Sequence, residues 1–259
     1  MKAFRLLSQI SGGLLAIVLS TAAVSAQDVV RVGLDPGPFP PFTDKKADGS
    51  RFGFEPDLLA SFCASMKVKC QLVEITWDGL ISALNNNKID MIYNNMTITE
   101  ERKKRVDFSN PYYDTRVVFV GPKGAPVQPT KESLKGKIIG VISGSVHAAY
   151  AQARFGDSAE IKIFPRQDEV TSDLLAGRLD LMISDALAME EFLKTNEGKP
   201  YEIKAEAPKD PLLGGGVGAA FRKGDPLRDK MNAALSNMVA SGEYDKIQKK
   251  YFKVDVSPR

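Results

Sequence analysis

Leu80-Ile81-Ser82-Ala83-Leu84-Asn85-Asn86-Asn87-Lys88-Ile89-Asp90-Met91-Ile92 has a counterpart later in the chain, Val170-Thr171-Ser172-Asp173-Leu174-Leu175-Ala176-Gly177-Arg178-Leu179-Asp180-Leu181-Met182-Ile183. Each stretch reads as a helix, a polar turn with a basic residue, an aliphatic residue, an aspartate and a buried strand. Two copies of one unit within 259 residues predict two lobes built on one plan.

The same alternation extends outward from both copies. Strand-like Val29 to Leu34 enters the Pro/Gly-rich loop Asp35 to Phe42, too stiff for helix, and helix 55–66, strand 70–74, helix 77–86 and strand 89–93 follow. Strand 137–142, helix 145–155, strand 160–164, helix 168–176 and strand 179–183 form the second series. Tyr112 to Val120 reads as an extended crossover between the series, and Gly214-Gly215-Gly216-Val217-Gly218-Ala219-Ala220-Phe221 as a returning one. The prediction is an α/β chain in which each lobe is an open α/β sheet: 27–113 with 218–259 form lobe 1, 118–212 form lobe 2, and 114–117 and 213–217 are two hinge crossovers. Open α/β sheets bind ligands beyond the carboxyl ends of their strands. The segments to question are therefore 35–42, 94–99, 143–147 and Ser184-Asp185.

Composition narrows the chemistry. Forty-three per cent hydrophobic and 26% charged residues exclude a disordered chain. One His and two Cys exclude a multi-histidine zinc site and a thiolate cluster, so neither metal nor cofactor is expected. Lys2 and Arg5, the apolar run Leu14 to Leu19 and the small residues Val24-Ser25-Ala26 follow the order of a secretory signal. Residues 1–26 then form a signal peptide cleaved after Ala26, and the mature protein is a soluble periplasmic one. Loss of Lys2 and Arg5 takes the formal charge from +3 to +1. With basic residues interleaved among acids, no field for nucleic acid remains. Export also allows Cys63 and Cys70 to form a disulfide across the turn between a helix and a strand, the alternative being two buried thiols.

Thr99 is placed to cap a helix that begins Glu100-Glu101-Arg102. A cation in a first turn opposes the helix dipole, so Arg102 either carries its charge to solvent or receives an anion together with free N–H groups. On the other lobe, Asp185 either caps the helix that follows it or meets a cation in the cleft. A guanidinium on one lobe and a carboxylate on the other match the two ends of an α-amino acid. Trp77, the sole tryptophan, and loop-borne Phe39 offer flat faces to a ligand, with core packing as the alternative. His147 follows a Gly-containing turn at a helix start, and no Ser-His nucleophile is legible around Ser145.

These residues resemble the type-3 extracellular solute-binding proteins of ABC importers for polar amino acids and opines. The resemblance covers nearly the whole mature chain and rests on Val32-Gly33-Leu34-Asp35-Pro36 with Pro41-Phe42, Gly53-Phe54-Glu55-Pro56-Asp57-Leu58, Trp77-Asp78-Gly79-Leu80-Ile81, Met96 to Arg102 with Val106-Asp107-Phe108-Ser109, Asp173 to Asp180, and Gly242 to Ile247. It implies the two-lobe periplasmic binding protein fold. Arg102 would grip the ligand α-carboxylate with help from Thr97, Ser145 and Val146, and Asp185 would take the α-ammonium. Phe39 and Trp77 would sandwich the side chain, Asn94 and Asn95 would line the first lobe, His147 would make a polar contact, and Asp35 would meet the ligand side chain. The spacing of Cys63 and Cys70 resembles a disulfide of the basic-amino-acid binders.

Asn94-Asn95 stands where the family has small Ser or Gly, and Val146 where it commonly has Thr. The added amides suggest a ligand rich in polar groups, an opine or an ordinary polar amino acid. The expected function is a monomeric, non-enzymatic receptor that closes on a small zwitterion and delivers it to an inner-membrane ABC permease. The alternatives are a dehydratase-like enzyme using Glu55 or Asp185 as acid or base, and a ligand sensor for a membrane receptor. Intact-mass analysis of the exported protein should show a chain beginning at Gln27; a chain retaining residues 1–26 would contradict the signal reading.

Overall fold

The computed structural model describes residues 28–124 and 126–257. The expected signal peptide and its cleavage point lie outside them. The first lobe is built from β1 (Val29–Leu34), the hairpin β2 (Asp44–Lys45) and β3 (Arg51–Phe52), α1 (Phe54–Met66), β4 (Lys69–Glu74), α2 (Leu80–Asn85), β5 (Met91–Ile92), α3 (Glu100–Lys103) and β6 (Asp107–Phe108). The second contains β7 (Val117–Pro122), α4 (Lys131–Leu134), β8 (Ile138–Ile142), α5 (Val146–Phe155), β9 (Glu160–Phe164), α6 (Gln167–Leu175), β10 (Leu181–Asp185), α7 (Ala186–Phe192) and β11 (Tyr201–Glu206). The chain then returns to the first lobe as β12 (Ala220–Phe221), α8 (Leu227–Ala240) and α9 (Glu243–Tyr251).

Each lobe carries one five-stranded sheet, ordered β4-β1-β5-β12-β6 and β11-β7-β10-β8-β9. The two orders correspond. In each, three strands run parallel, and the strand arriving from a crossover, β12 or β7, pairs antiparallel beside them and is flanked by an edge strand. The crossovers meet where the Val217 N–H donates to the Tyr113 carbonyl at 2.8 Å and the Tyr112 N–H donates to the Val217 carbonyl at 2.8 Å.

The repeated sequence acquires a physical meaning here. Asp90 accepts from the Arg31 N–H at 3.0 Å and from its guanidinium at 2.9 and 2.7 Å. Asp180 accepts from the Ile138 N–H at 2.9 Å and from Lys137 Nζ at 2.9 Å. Each aspartate thus ties the turn before one parallel strand to the start of its neighbour, fixing register. The preceding aliphatic residue needs a glycine opposite: a Cβ on Gly33 would lie 2.2 Å from Ile89 Cδ1, and one on Gly140 2.3 Å from Leu179 Cδ1.

Two differences from the sequence reading have clear causes. The expected helix 77–86 opens as a 3-10 turn, Trp77–Gly79, before α2, because the Trp77 N–H is drawn to the Asp35 carboxylate at 2.8 Å. Helix α8 was not anticipated, although Leu227, Met231, Leu235 and Met238 fall at helical spacing. It buries Met231, Ala234, Leu235 and Met238 and packs on α1 and α9.

The core of the first lobe is aromatic. Tyr93 stacks on Tyr112 with centroids 4.8 Å apart, Phe54 meets Phe252 edge-on at 4.9 Å, and Tyr113 stacks on Phe42 at 5.0 Å. Such pairs add to the area they bury, and they hold Tyr112 and Tyr113 rigidly beside the cleft. Helix α1 ends at Lys67 in the left-handed conformation, which turns the chain into β4 and brings Cys63 and Cys70 together as a disulfide with Cα atoms 6.0 Å apart. Closing so short a loop, with a sequence separation of 7, should stabilise the fold by about 2–3 kcal/mol through the unfolded state. Paired Cys63→Ala and Cys70→Ala substitutions should lower the urea midpoint accordingly; an unchanged midpoint would contradict this.

Candidate functional site

A cavity of about 680 Å³, counted with its opening to solvent, lies between the lobes. The carboxyl ends of β1, β5, β8, β9 and β10 border it, as the strand-end rule requires. The eleven residues singled out from the sequence, Asp35, Phe39, Trp77, Asn94, Asn95, Thr97, Arg102, Ser145, Val146, His147 and Asp185, all line it. Pro165, Arg166 and Gln167, directly after β9, line it as well, where the same strand-end rule points. Glu55, expected only as a candidate acid or base, and Thr43 line it too.

Arg102 reaches the cavity because α3 is one turn long. Thr99 caps it, its Oγ1 accepting from the Arg102 N–H at 3.2 Å, and the arginine side chain turns back over the strand end. Its Nη1 donates to the Thr97 carbonyl at 2.7 Å and its Nη2 crosses to the Gly144 carbonyl of the second lobe at 3.1 Å. The guanidinium carbon stands 5.4 Å from the centre of the Trp77 ring, a cation-π distance. No carboxylate pairs with it among the described residues. Burial lowers its pKa to about 10, which leaves it charged at neutral pH. A half-buried cation hydrogen-bonded to carbonyl oxygens is electrostatically incomplete.

Asp185 occupies the capping position of α7 but makes no side-chain cap bond. Its buried carboxylate accepts from Asn95 Nδ2 at 2.9 Å across the cleft, and its Oδ1 stands 3.5 Å from His147 Nε2. Both ring nitrogens of His147 are buried without a hydrogen-bond partner among the described residues. Ser145 caps α5, accepting from the Ala148 N–H at 3.0 Å and donating to the Ile142 carbonyl at 2.6 Å. Its hydroxyl is structural, and its position leaves Val146 and His147 in the first turn of α5, facing the cavity.

Asp35 is shaped by backbone donors. It accepts from the Gly37 N–H at 2.7 Å and the Trp77 N–H at 2.8 Å, while its own N–H donates to Asn94 Oδ1 at 3.0 Å. Phe39 stacks on Phe42 with centroids 5.6 Å apart and lines the cavity. Gly144 adopts φ 61, where an L side chain is strained, and a Cβ there would lie 2.5 Å from Asp78 Oδ1. The glycine lets the two lobes meet.

Glu55 lies behind this wall. It is 3% exposed and accepts from Tyr112 OH and the Asn95 N–H at 2.7 Å each. Burial raises its pKa to about 7, against those hydrogen bonds and with the Asp185 charge adding to the rise. The folded protein therefore holds a proton that the unfolded chain, with a carboxyl near 4.5, releases earlier. The stabilisation is fully present below about pH 4.5 and is lost as pH rises through about 7. Glu55→Gln should remove a fall on the order of 3 kcal/mol across that window, read from urea midpoints at several pH values; an identical slope in the variant would contradict it.

Residues 30–254 match the family described as bacterial extracellular solute-binding proteins, family 3. The chain is 44% identical over 249 residues to the L-arginine-binding protein of Pseudomonas aeruginosa, covering 95% of this chain and 96% of that protein. It is 39% identical over 249 residues to the lysine/arginine/ornithine-binding periplasmic protein of Escherichia coli, covering 93% and 95%. Its structure superimposes on that of an ancestral arginine-binding protein bound to arginine with a TM-score of 0.80 at 36% identity, over 87% of this chain and 99% of the other. These relatives are binding proteins rather than enzymes, and their fold is the two-lobe periplasmic binding protein fold. The chain belongs to the family 3 bacterial extracellular solute-binding proteins.

Proposed function

We infer that this protein is the periplasmic receptor of an ABC importer for a basic amino acid, acting as a monomer that closes its lobes on the ligand and presents it to an inner-membrane permease. The observation that carries this reading is the pairing of a half-buried guanidinium with no carboxylate partner among the described residues, Arg102, with the buried carboxylate of Asp185 on the opposite lobe. An α-carboxylate completes the first and an α-ammonium the second, so one zwitterion satisfies both lobes only when they are closed.

The balance of charge supports a basic side chain. Asp35 and Asp185 line the cavity against Arg102 and Arg166, and Arg166 is already bound to Asp168 at 3.0 and 3.1 Å. Carboxylates exceed available cations, which favours a ligand of net positive charge. The arginine- and lysine-binding relatives agree in their names. Asp35, whose oxygens among the described residues accept from backbone N–H groups alone, is the natural acceptor for the cationic end, with the rings of Trp77 and Phe39 flanking the aliphatic stem.

The geometry also weakens the argument for an opine. Asn94 Oδ1 is engaged by the Asp35 N–H, and both ends of the Asn95 amide are engaged by Tyr113 and Asp185. The extra hydrogen-bonding capacity serves the protein more than a ligand.

Isothermal titration of protein refolded free of ligand should show heat and saturation with arginine, lysine, ornithine or histidine, and weaker binding of glutamate and opines. Arg102→Ala, losing charge-assisted bonds to the α-carboxylate, should weaken the preferred ligand by about 100-fold or more. Near-native affinity in that variant would overturn the assigned role, and preference for an acidic ligand would overturn the ligand class.

A further inference from the structure

Among the described residues, opening the cleft must break two hydrogen bonds between the lobes, Arg102 to the Gly144 carbonyl and Asn95 to Asp185. The second has features of a built device. Asn95 follows β5 with φ 47, in the left-handed region that asparagine tolerates better than most residues. Its N–H donates to Glu55 Oε1 at 2.7 Å, which fixes the backbone. Its Oδ1 accepts from Tyr113 OH, which fixes the amide. An ionised Asp185 accepts only, so the NH₂ end must face it, and a flipped amide would set Oδ1 against a carboxylate.

Tyr113 carries this arrangement to the hinge. Its carbonyl accepts from Val217 of the returning crossover, its ring is fully buried between Phe42 and Phe54, and its hydroxyl orients Asn95. On the other side, Asn95 holds Asp185 Oδ2 and leaves Oδ1, 3.5 Å from His147 Nε2, facing the cavity.

We propose that Asn95 is an interlobe positioning residue: held by Glu55 and Tyr113, it bonds Asp185 across the cleft, orients that carboxylate for the ligand and contributes to lobe closure by a contact the ligand does not make. The proposal rests on hinge closure as read under the proposed function but not on which ligand is bound. It makes closure partly intrinsic to the protein, so that the ligand adds to a pre-existing closed population instead of supplying all of the attraction between lobes.

The test uses ligand-stripped protein with nitroxide labels on Lys88→Cys and Lys199→Cys, one exposed site in each lobe, and reads the open and closed distances by double electron-electron resonance. The unmodified cleft should show both populations. Asn95→Ala and Asn95→Asp should each lower the closed-to-open ratio about tenfold, the scale of one hydrogen bond to a charged group. Tyr113→Phe, which keeps the ring packing, should lower it less. Combining Asn95→Asp with Asp185→Asn exchanges donor and acceptor and should restore the ratio to within about twofold of the parent. Circular dichroism and melting curves select the variants that fold, and the reciprocal pair keeps the test decisive if Asn95→Ala does not. An absent closed population in the parent, an unchanged ratio in the single variants, or no recovery in the reciprocal pair would overturn the proposal. Because no ligand is added, failure to bind basic amino acids would leave these outcomes unaffected.

Discussion

Arg102 bears a charge that the protein half-buries and that no carboxylate among the described residues neutralises. Two carbonyl oxygens, one from each lobe, fix the guanidinium, and the Trp77 ring lies beside it. Holding a cation in this way is unfavourable until an anion meets it, and under the proposed function the ammonium of a zwitterionic ligand meets Asp185 on the facing wall. The rest of the architecture serves this separation of charges: strand ends that converge from two sheets, a one-turn helix that aims the arginine backward, a glycine at 144 that lets the lobes touch, and paired crossovers that join them.

Much of the fold was legible because its periodicities are strong. The two copies of helix, turn, aliphatic residue, aspartate and strand announce duplicated lobes, and the structure shows why those residue types recur: Asp90 and Asp180 tie neighbouring strands together, while Ile89 and Leu179 pack into space left by Gly33 and Gly140. Helix α8 was passed over even though Met231, Leu235 and Met238 mark its buried face. The 3-10 start of the Trp77 helix could not be read locally, because it is imposed by Asp35, forty-two positions away in sequence.

The site was legible where its chemistry is tied to strand ends. In sequence Arg102 stands out as a cation in a first helical turn and Asp185 as a carboxylate directly after a buried strand; that Asp185 makes no cap bond emerges only from tertiary structure. What sequence could not show is how the asparagines are used. Asn94 and Asn95 read as additional contacts for a ligand, yet three of their four polar groups are occupied by Asp35, Tyr113 and Asp185. Nor could it show that Glu55 is enclosed by Tyr112, Tyr113 and Asn95, since those partners lie 40 to 58 positions away and meet only through tertiary packing.

The most direct measurement of the central claim is a crystal structure of the protein grown with L-arginine. The account predicts closed lobes, the ligand α-carboxylate on Arg102, its α-ammonium on Asp185 Oδ1, and the guanidinium end directed toward Asp35. A ligand seated with its carboxylate away from Arg102, or bound outside the interlobe cavity, would contradict it.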